Sequence, residues 1–328
     1  MNFGLMPDGD PVERYIIRGG GLTANLLSYG AILQDLQLDG HGTPLVLGFE
    51  TFEPYLTDSP FFGAVAGRCA NRVRNGRFEI DQTTFQTDQN YLDSHMLHGG
   101  ARGSGKVNWD FVDVASDSVT LRLKQPDGDM GFPGNLVAHY HVTCMPGGVL
   151  DLVIEATTDK PTLCNFAHHS YWNLDGSADT GAHLLQVDAA HYTGIDDAFI
   201  PTGKSHDVTG TRFDFRTERP INDDMLIDHN LCLSNTQRAI RKVGHLRSEK
   251  SGVTMEIRST EPGIQVYDGF KLDVGPCGLG GRKYGVNGGI ALEPQNWPDA
   301  INHSHFPDVV LRPGETYRQH TQFAFSKG

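Results

Sequence analysis

The chain has 328 residues, enough to bury a large core without disulfide or metal staples, and its 38% hydrophobic and 20% charged content excludes a disordered polymer. Asp and Glu number 40 against 27 Lys and Arg, a formal charge of −13 that repels a phosphate backbone and acidic lipids; neither nucleic acid nor a membrane is an expected partner. Five scattered cysteines, never in a C-x-x-C pair, argue against a disulfide framework or zinc knuckle and for a reducing compartment.

The opening MNFGLMPDGDPVERY has no basic start and no apolar h-region, and no stretch approaches the ~20 apolar residues of a membrane helix, so a cytoplasmic location is the expectation. Further along, turn signals (LDGHG, RNGR, QPDGD, PGG, RPGE) separate short runs with period-2 alternation. Phe78 and Ile80 alternate with polar neighbours, as do Val119, Leu121 and Leu123, then Leu150, Leu152 and Ile154, then Met255 and Ile257. The tail repeats the pattern from Tyr317 to Phe325. Such alternation predicts strands with one row of side chains on the core. TQRAIRKV, near 236–243, reads as one short helix. Many short strands with Gly and Pro turns, and no linker, charge block or repeat, predict an all-β sandwich in a single domain over 1–328.

Five segments carry candidate chemistry. In GRCANRVRNGRF (67–78), Arg72 and Arg74 stand beside Asn71 and Asn75. A forked guanidinium suits sugar hydroxyls or a carboxylate, although alone the segment reads as surface arginines around an NG hairpin turn. MLHGG places His98 before two glycines, where the backbone can turn sharply or approach a ligand. NFAHHSYWNLDG (165–176) packs His168, His169, aromatics and asparagines together, a mix suited to a sugar's apolar faces and hydroxyl edges. On a strand these histidines face opposite ways, so one of the two points into a given cleft. In LIDHN, Asp228 is either a ligand for a hydroxyl or a turn aspartate. Finally, Glu293 follows apolar Ile290, Ala291 and Leu292, and desolvation at the end of a buried strand raises its pKa toward that of a useful base; Gln295, Asn296, Trp297 and Asn302 follow closely.

Other patterns weigh less. The H-x-H pairs His139/His141 and His303/His305 lack an evident carboxylate partner at metal spacing, so no metal is expected. The glycine-rich run 275–289 lacks the G-K-[ST] of a phosphate loop.

Taken in order, NRVRNGRF, LHGG, GFPGNL, HHSYWNL, DHN, PGIQVYDG, EPQNWPDAINHSHFP and LRPGETY resemble the aldose 1-epimerase (galactose mutarotase) family, from about residue 67 to 317, and the opening PDGDPVERY also fits. The resemblance implies one large antiparallel β-sandwich, the galactose mutarotase-like supersandwich, with no metal or organic cofactor. It implies a free aldose as substrate, Glu293 as general base and His169 as general acid. It implies Arg72, His98, Asp228, Gln295 and Asn71 as groups around the sugar. Ring opening then needs a base at the C1 hydroxyl and an acid at the ring oxygen, expected on opposite sides of the bound ring. Departures touch substrate preference: His168 stands where asparagine is common, Trp172 where phenylalanine is common, and FKLDVGPCGLGGRKYG replaces a tighter stretch. A phosphohexose epimerase or a non-catalytic carbohydrate-binding protein are the alternatives, the former requiring a basic cluster beyond Arg72, Arg74 and Arg77. A monomer is the default expectation, with a homodimer as the alternative.

Overall fold

The computed structural model describes residues 1–222 and 226–328. The expected alternation becomes strands. Ser118–Gln125, Leu136–Met145 and Val149–Thr158 alternate buried and partly exposed positions, and Tyr317–Lys327 does the same with Gln319, Thr321, Phe323 and Phe325 inward. These strands join a nine-stranded antiparallel sheet. A four-stranded meander, Asn2–Leu5 to Leu33–Leu38, forms at the N-terminus.

The element that positions the site is a six-stranded antiparallel sheet running Tyr171–Trp172, Ile290–Gln295, Gly263–Tyr267, Asp228–Cys232, His191–Ile195 and Pro201–Asp207. Period-2 geometry gives it two distinct faces. Ile290, Leu292, Ile264, Val266 and Leu231 lie in one buried cluster with Leu150, Ile154, Phe323 and Phe325 of the nine-stranded sheet. Register places the opposite row: Glu293 faces Gln265 across one strand pair, and Gln265 faces Asn230 across the next. Tyr267 pairs likewise with Ala291 and with Asp228. Every residue of Ile290–Gln295 is buried because both faces are covered, which is why the sequence there is an apolar run and not a clean alternation.

Two local expectations are corrected. No helix forms at 236–243. Arg241–Arg247 is a strand paired with Val253–Ser259, with Val243 in the core, and the preceding chain is irregular. There the Gln237 amide donates to Glu261 (2.8 Å) and to the Arg318 carbonyl (2.6 Å), so tertiary bonds override a weak helical pattern. The NG pair does bend, with φ of 56° at both Asn75 and Gly76, but its flanks pair elsewhere: Arg72–Val73 with Met96–Leu97, and Arg77–Ile80 with Thr83–Gln86. The two-residue hairpin turn is instead Asp81–Gln82, both at positive φ. A five-residue helix, Glu53–Thr57, is too short to show a period. No described helix is long and apolar enough to cross a membrane.

Leu292 is fully buried on the apolar row. Leu292→Ala is expected to cost about 2–5 kcal/mol in chemical denaturation, through lost burial and an unfilled cavity.

Candidate active site

On the polar face of the six-stranded sheet, Glu293 is 2% exposed. Ala167–His169 runs beside it, pairing with Ala64–Ala66, and sends its two histidines in opposite directions. His168 enters the core, where its Nδ1 meets the Tyr140 hydroxyl (3.1 Å) and its Nε2 the Ser170 hydroxyl (2.7 Å). His169 faces the site, with Nε2 3.5 Å from Glu293 Oε1. Both histidines are buried, so alternation and not exposure separates them.

Arg72 stands at the other side of the cluster. Its NH2 lies 3.3 Å from Asp228 Oδ2, and its NH1 donates to Asn71 Oδ1 (3.3 Å). Its guanidinium carbon lies 4.8 Å from the Tyr91 ring centre and 5.5 Å from that of Phe199. Asp228 is held a second time by Gln265, whose amide donates to Oδ1 at 2.6 Å. Asn71, at φ 60°, links two neighbours: its oxygen takes Arg72, and its backbone amide donates to His98 Nδ1 (3.2 Å). His98 packs edge-on to His169 (5.2 Å) and against Phe61 (4.6 Å). The glycines after His98 are required. Gly99 sits at φ 85°, and a Cβ there would collide with the Gly67 carbonyl.

Six buried side-chain atoms in this cluster have no hydrogen-bond partner among the described residues: Arg72 Nε, His169 Nδ1, Glu293 Oε2, Gln265 Oε1, and both polar atoms of Gln295. Burial without partners is costly, and such a concentration marks a candidate site for a polar ligand. Burial also sets the protons. It pushes the Glu293 carboxyl well above the usual carboxylate range, with Asp228 adding to the rise and Arg72 opposing it. It pushes His169 down to about 4. Burial, and then the neighbouring His169 and Arg72, also hold His98 well below the usual imidazole range.

The structure thus gathers Glu293, His169, Arg72, His98, Asp228 and Asn71, with Gln295 two residues beyond Glu293 on the same strand. The expectation that Glu293 and His169 stand on opposite sides of a sugar ring is corrected by their 3.5 Å approach. Adjacent groups suffice, because the C1 hydroxyl and the ring oxygen are bonded to the same carbon. Gln265, Tyr91, Phe61 and Phe199 were not singled out from the sequence. Gln265 lies within PGIQVYDG, but only strand register makes it the cross-strand partner of Glu293; the other three sit outside regular strands with no spacing signal. Elsewhere, His141 Nδ1 contacts Thr120 (2.9 Å) and His305 Nε2 the Gly203 carbonyl (2.7 Å). No group of three or more potential metal ligands gathers among the described residues.

A family model described as Aldose 1-epimerase matches residues 13–324. The chain belongs to the aldose 1-epimerase family. Among its relatives are a galactose mutarotase from Rattus norvegicus, 38% identical with 99% of this chain and 97% of the relative covered, and an aldose 1-epimerase from Escherichia coli, 33% identical over 98% and 97%. A solved aldose epimerase homologue from C. elegans superposes with a TM-score of 0.90 at 34% identity, covering 96% of this chain and 99% of that one. A galactose 1-epimerase from Lactobacillus acidophilus gives 0.86 at 26%, covering 100% and 98%. The expected all-β sandwich of this family is therefore the fold.

The proton shifts carry a signed stability signature. A raised Glu293 pKa favours the folded state below the ordinary carboxylate range and loses that benefit as pH rises. Glu293→Gln is therefore expected to gain stability relative to wild type as pH increases above about 4.5. His169 works the other way. Its depressed pKa makes wild type lose stability as pH falls from 6.5 toward about 4, and His169→Asn flattens that slope. Denaturation midpoints across pH 4–9 check both signs; matching slopes in wild type and variants would contradict them.

Proposed function

We propose that the chain is an aldose 1-epimerase that interconverts the α and β anomers of a free aldose, with Glu293 as base and His169 as acid. The observation that carries this reading is the buried Glu293–His169 contact at 3.5 Å, on a polar face with unpartnered donors and acceptors around it. Glu293 takes the proton of the C1 hydroxyl. The bond from C1 to the ring oxygen breaks, and the ring oxygen takes a proton from His169. The open-chain aldehyde rotates about C1–C2. Closure returns the proton from the hydroxyl to His169 and from Glu293 to the new C1 oxygen, so no atom or electron is gained or lost.

Each stage uses one proton shared by the pair: on His169 with the ring closed, on Glu293 with the ring open. Burial raises one pKa and lowers the other, so the arrangement with both groups neutral is favoured, and this is the arrangement that ring opening generates. Asp228 raises both pKa values and Arg72 lowers both, so the two charges act against each other at each member of the pair. Arg72, His98, Asp228, Gln295 and Gln265 hold the hydroxyls in this reading, and Asn71 holds Arg72 and His98.

The alternatives are less well supported. A phosphohexose epimerase needs free cationic groups, yet Arg72 pairs with Asp228, and Arg74 with Asp196 (2.8 Å) and Asp299 (4.0 Å). A purely sugar-binding role gives no reason to bury a carboxyl beside an imidazole. One domain over 1–328 is supported by a buried cluster that runs from Ile17 to Phe325. We retain the cytoplasm and a monomer as part of the same proposal.

Polarimetry on freshly dissolved α-glucose, α-galactose and pentoses tests the reading. Rotation is expected to relax faster with enzyme, and Glu293→Gln or His169→Asn to lower kcat by roughly 10²–10⁴-fold. Near-normal turnover in Glu293→Gln would mean another base; no acceleration of any sugar by wild type would end the proposal.

A further inference from the structure

Among the described residues, two phenylalanines take the left-handed backbone region, Phe61 at φ 65° and Phe199 at φ 60°. That region is unfavourable for a bulky side chain and persists only where surrounding bonds enforce it. Both sites are enforced. At Phe61, the next amide donates to Ser59 Oγ (2.9 Å), and the Gly63 amide ties the loop to the His169 carbonyl (3.1 Å). At Phe199, Asp196 Oδ1 accepts from Ala198 (3.0 Å) and Ile200 (3.1 Å), while Oδ2 accepts from Arg74 (2.8 Å). The following residues, Phe62 and Ile200, are fully buried. Each loop thus drives an apolar anchor into the core and leaves the strained ring only half-buried.

Both rings rest on the candidate site. Phe61 lies 4.6 Å from His98 and 6.0 Å from His169, nearly parallel to the latter, and Phe199 lies 5.5 Å from the Arg72 guanidinium. Asn71 joins His98 to Arg72, so the rings stand at the two ends of one hydrogen-bonded chain. Main-chain bonds fix the backbone that carries each ring, and Lys106 lies 5.1 Å over Phe61 and Lys271 3.8 Å over Phe199, yet neither ring fills the core. Rings held at such a cost beside unpartnered polar groups have the chemistry of a sugar platform, because the C–H faces of a pyranose pack on aromatic faces while its hydroxyls meet the polar row.

We propose that Phe61 and Phe199 are the two aromatic walls against which the sugar's C–H faces pack, and that they determine which aldoses the site accepts. This rests on the aldose 1-epimerase reading. Glycine is the informative substitution, since it removes the ring and also relieves the left-handed backbone. Phe61→Gly and Phe199→Gly, with Phe→Tyr at each position as the ring-retaining control, are compared by polarimetry over hexoses and pentoses and by thermal melting. The expected result is KM raised about tenfold in the glycine variants, with kcat little changed, an altered ranking of sugars, melting temperatures no lower than wild type, and KM restored by tyrosine. An active wild type with unchanged KM and sugar ranking in the glycine variants would overturn the walls alone. So would a loss confined to kcat, which would mean the rings act through His169 or Arg72, or a fall in melting temperature, which would mean they support the fold. A wild type that accelerates no sugar would instead sink the underlying reading, and the walls with it.

Discussion

Everything at the site depends on one sheet having two unlike faces. The strand Ile290–Gln295 drives Ile290 and Leu292 into the cluster shared with the nine-stranded sheet, and alternation then obliges Glu293 to face the other way. A one-residue slip would exchange the rows, burying the carboxyl in the apolar core and turning Leu292 toward the polar side. The register is locked by opposing interactions. Each fully buried Leu or Ile contributes about 1.5–3 kcal/mol, while each buried polar atom without a partner costs about 1–3 kcal/mol. The apolar row therefore offsets a polar row that the fold alone would not favour.

From that constraint the electrostatics follow. Because the sheet is covered on both faces, Glu293 and His169 lose most of their solvent, and burial is the leading cause of both pKa shifts. The shifts are opposite in sign, which suits a pair exchanging one proton and would not suit a permanent ion pair. Arg72 and Asp228 sit close enough to bias that proton without becoming its carriers. Asp228 has both oxygens occupied, by Arg72 and by Gln265. The strain at Asn71, His98, Phe61 and Phe199 belongs to the same economy: positive φ at four non-glycine residues bordering the cluster.

The sequence was most legible where chemistry and periodicity coincide. The alternating strands at 118–125, 149–158 and 317–327 read directly, because one face of each meets the core and the other does not. Glu293 was visible because an apolar run ends in a carboxylate. His169 was visible only as one of two, and three dimensions show which of them faces Glu293: Tyr140 and Ser170 occupy both nitrogens of His168. Gln265 and the aromatic neighbours escaped notice because their placement depends on cross-strand register and on loop anchoring, which no local pattern encodes. The short helix expected near 236–243 failed for a related reason, since bonds to Glu261 and Arg318 decide that backbone. The geometric notion of a base and an acid across a ring failed because it considered the sugar's width and not the carbon that its two reacting oxygens share.

The central claim is that Glu293 and His169 open and close the hemiacetal by exchanging one proton. Saturation-transfer NMR on a sugar already at anomeric equilibrium addresses it most directly, since it reads exchange between the two anomeric protons without any net reaction. Irradiating the α proton should attenuate the β signal with wild type, and the effect should vanish in the Glu293→Gln/His169→Asn double variant while the protein remains folded. Undiminished transfer in that double variant would contradict the account.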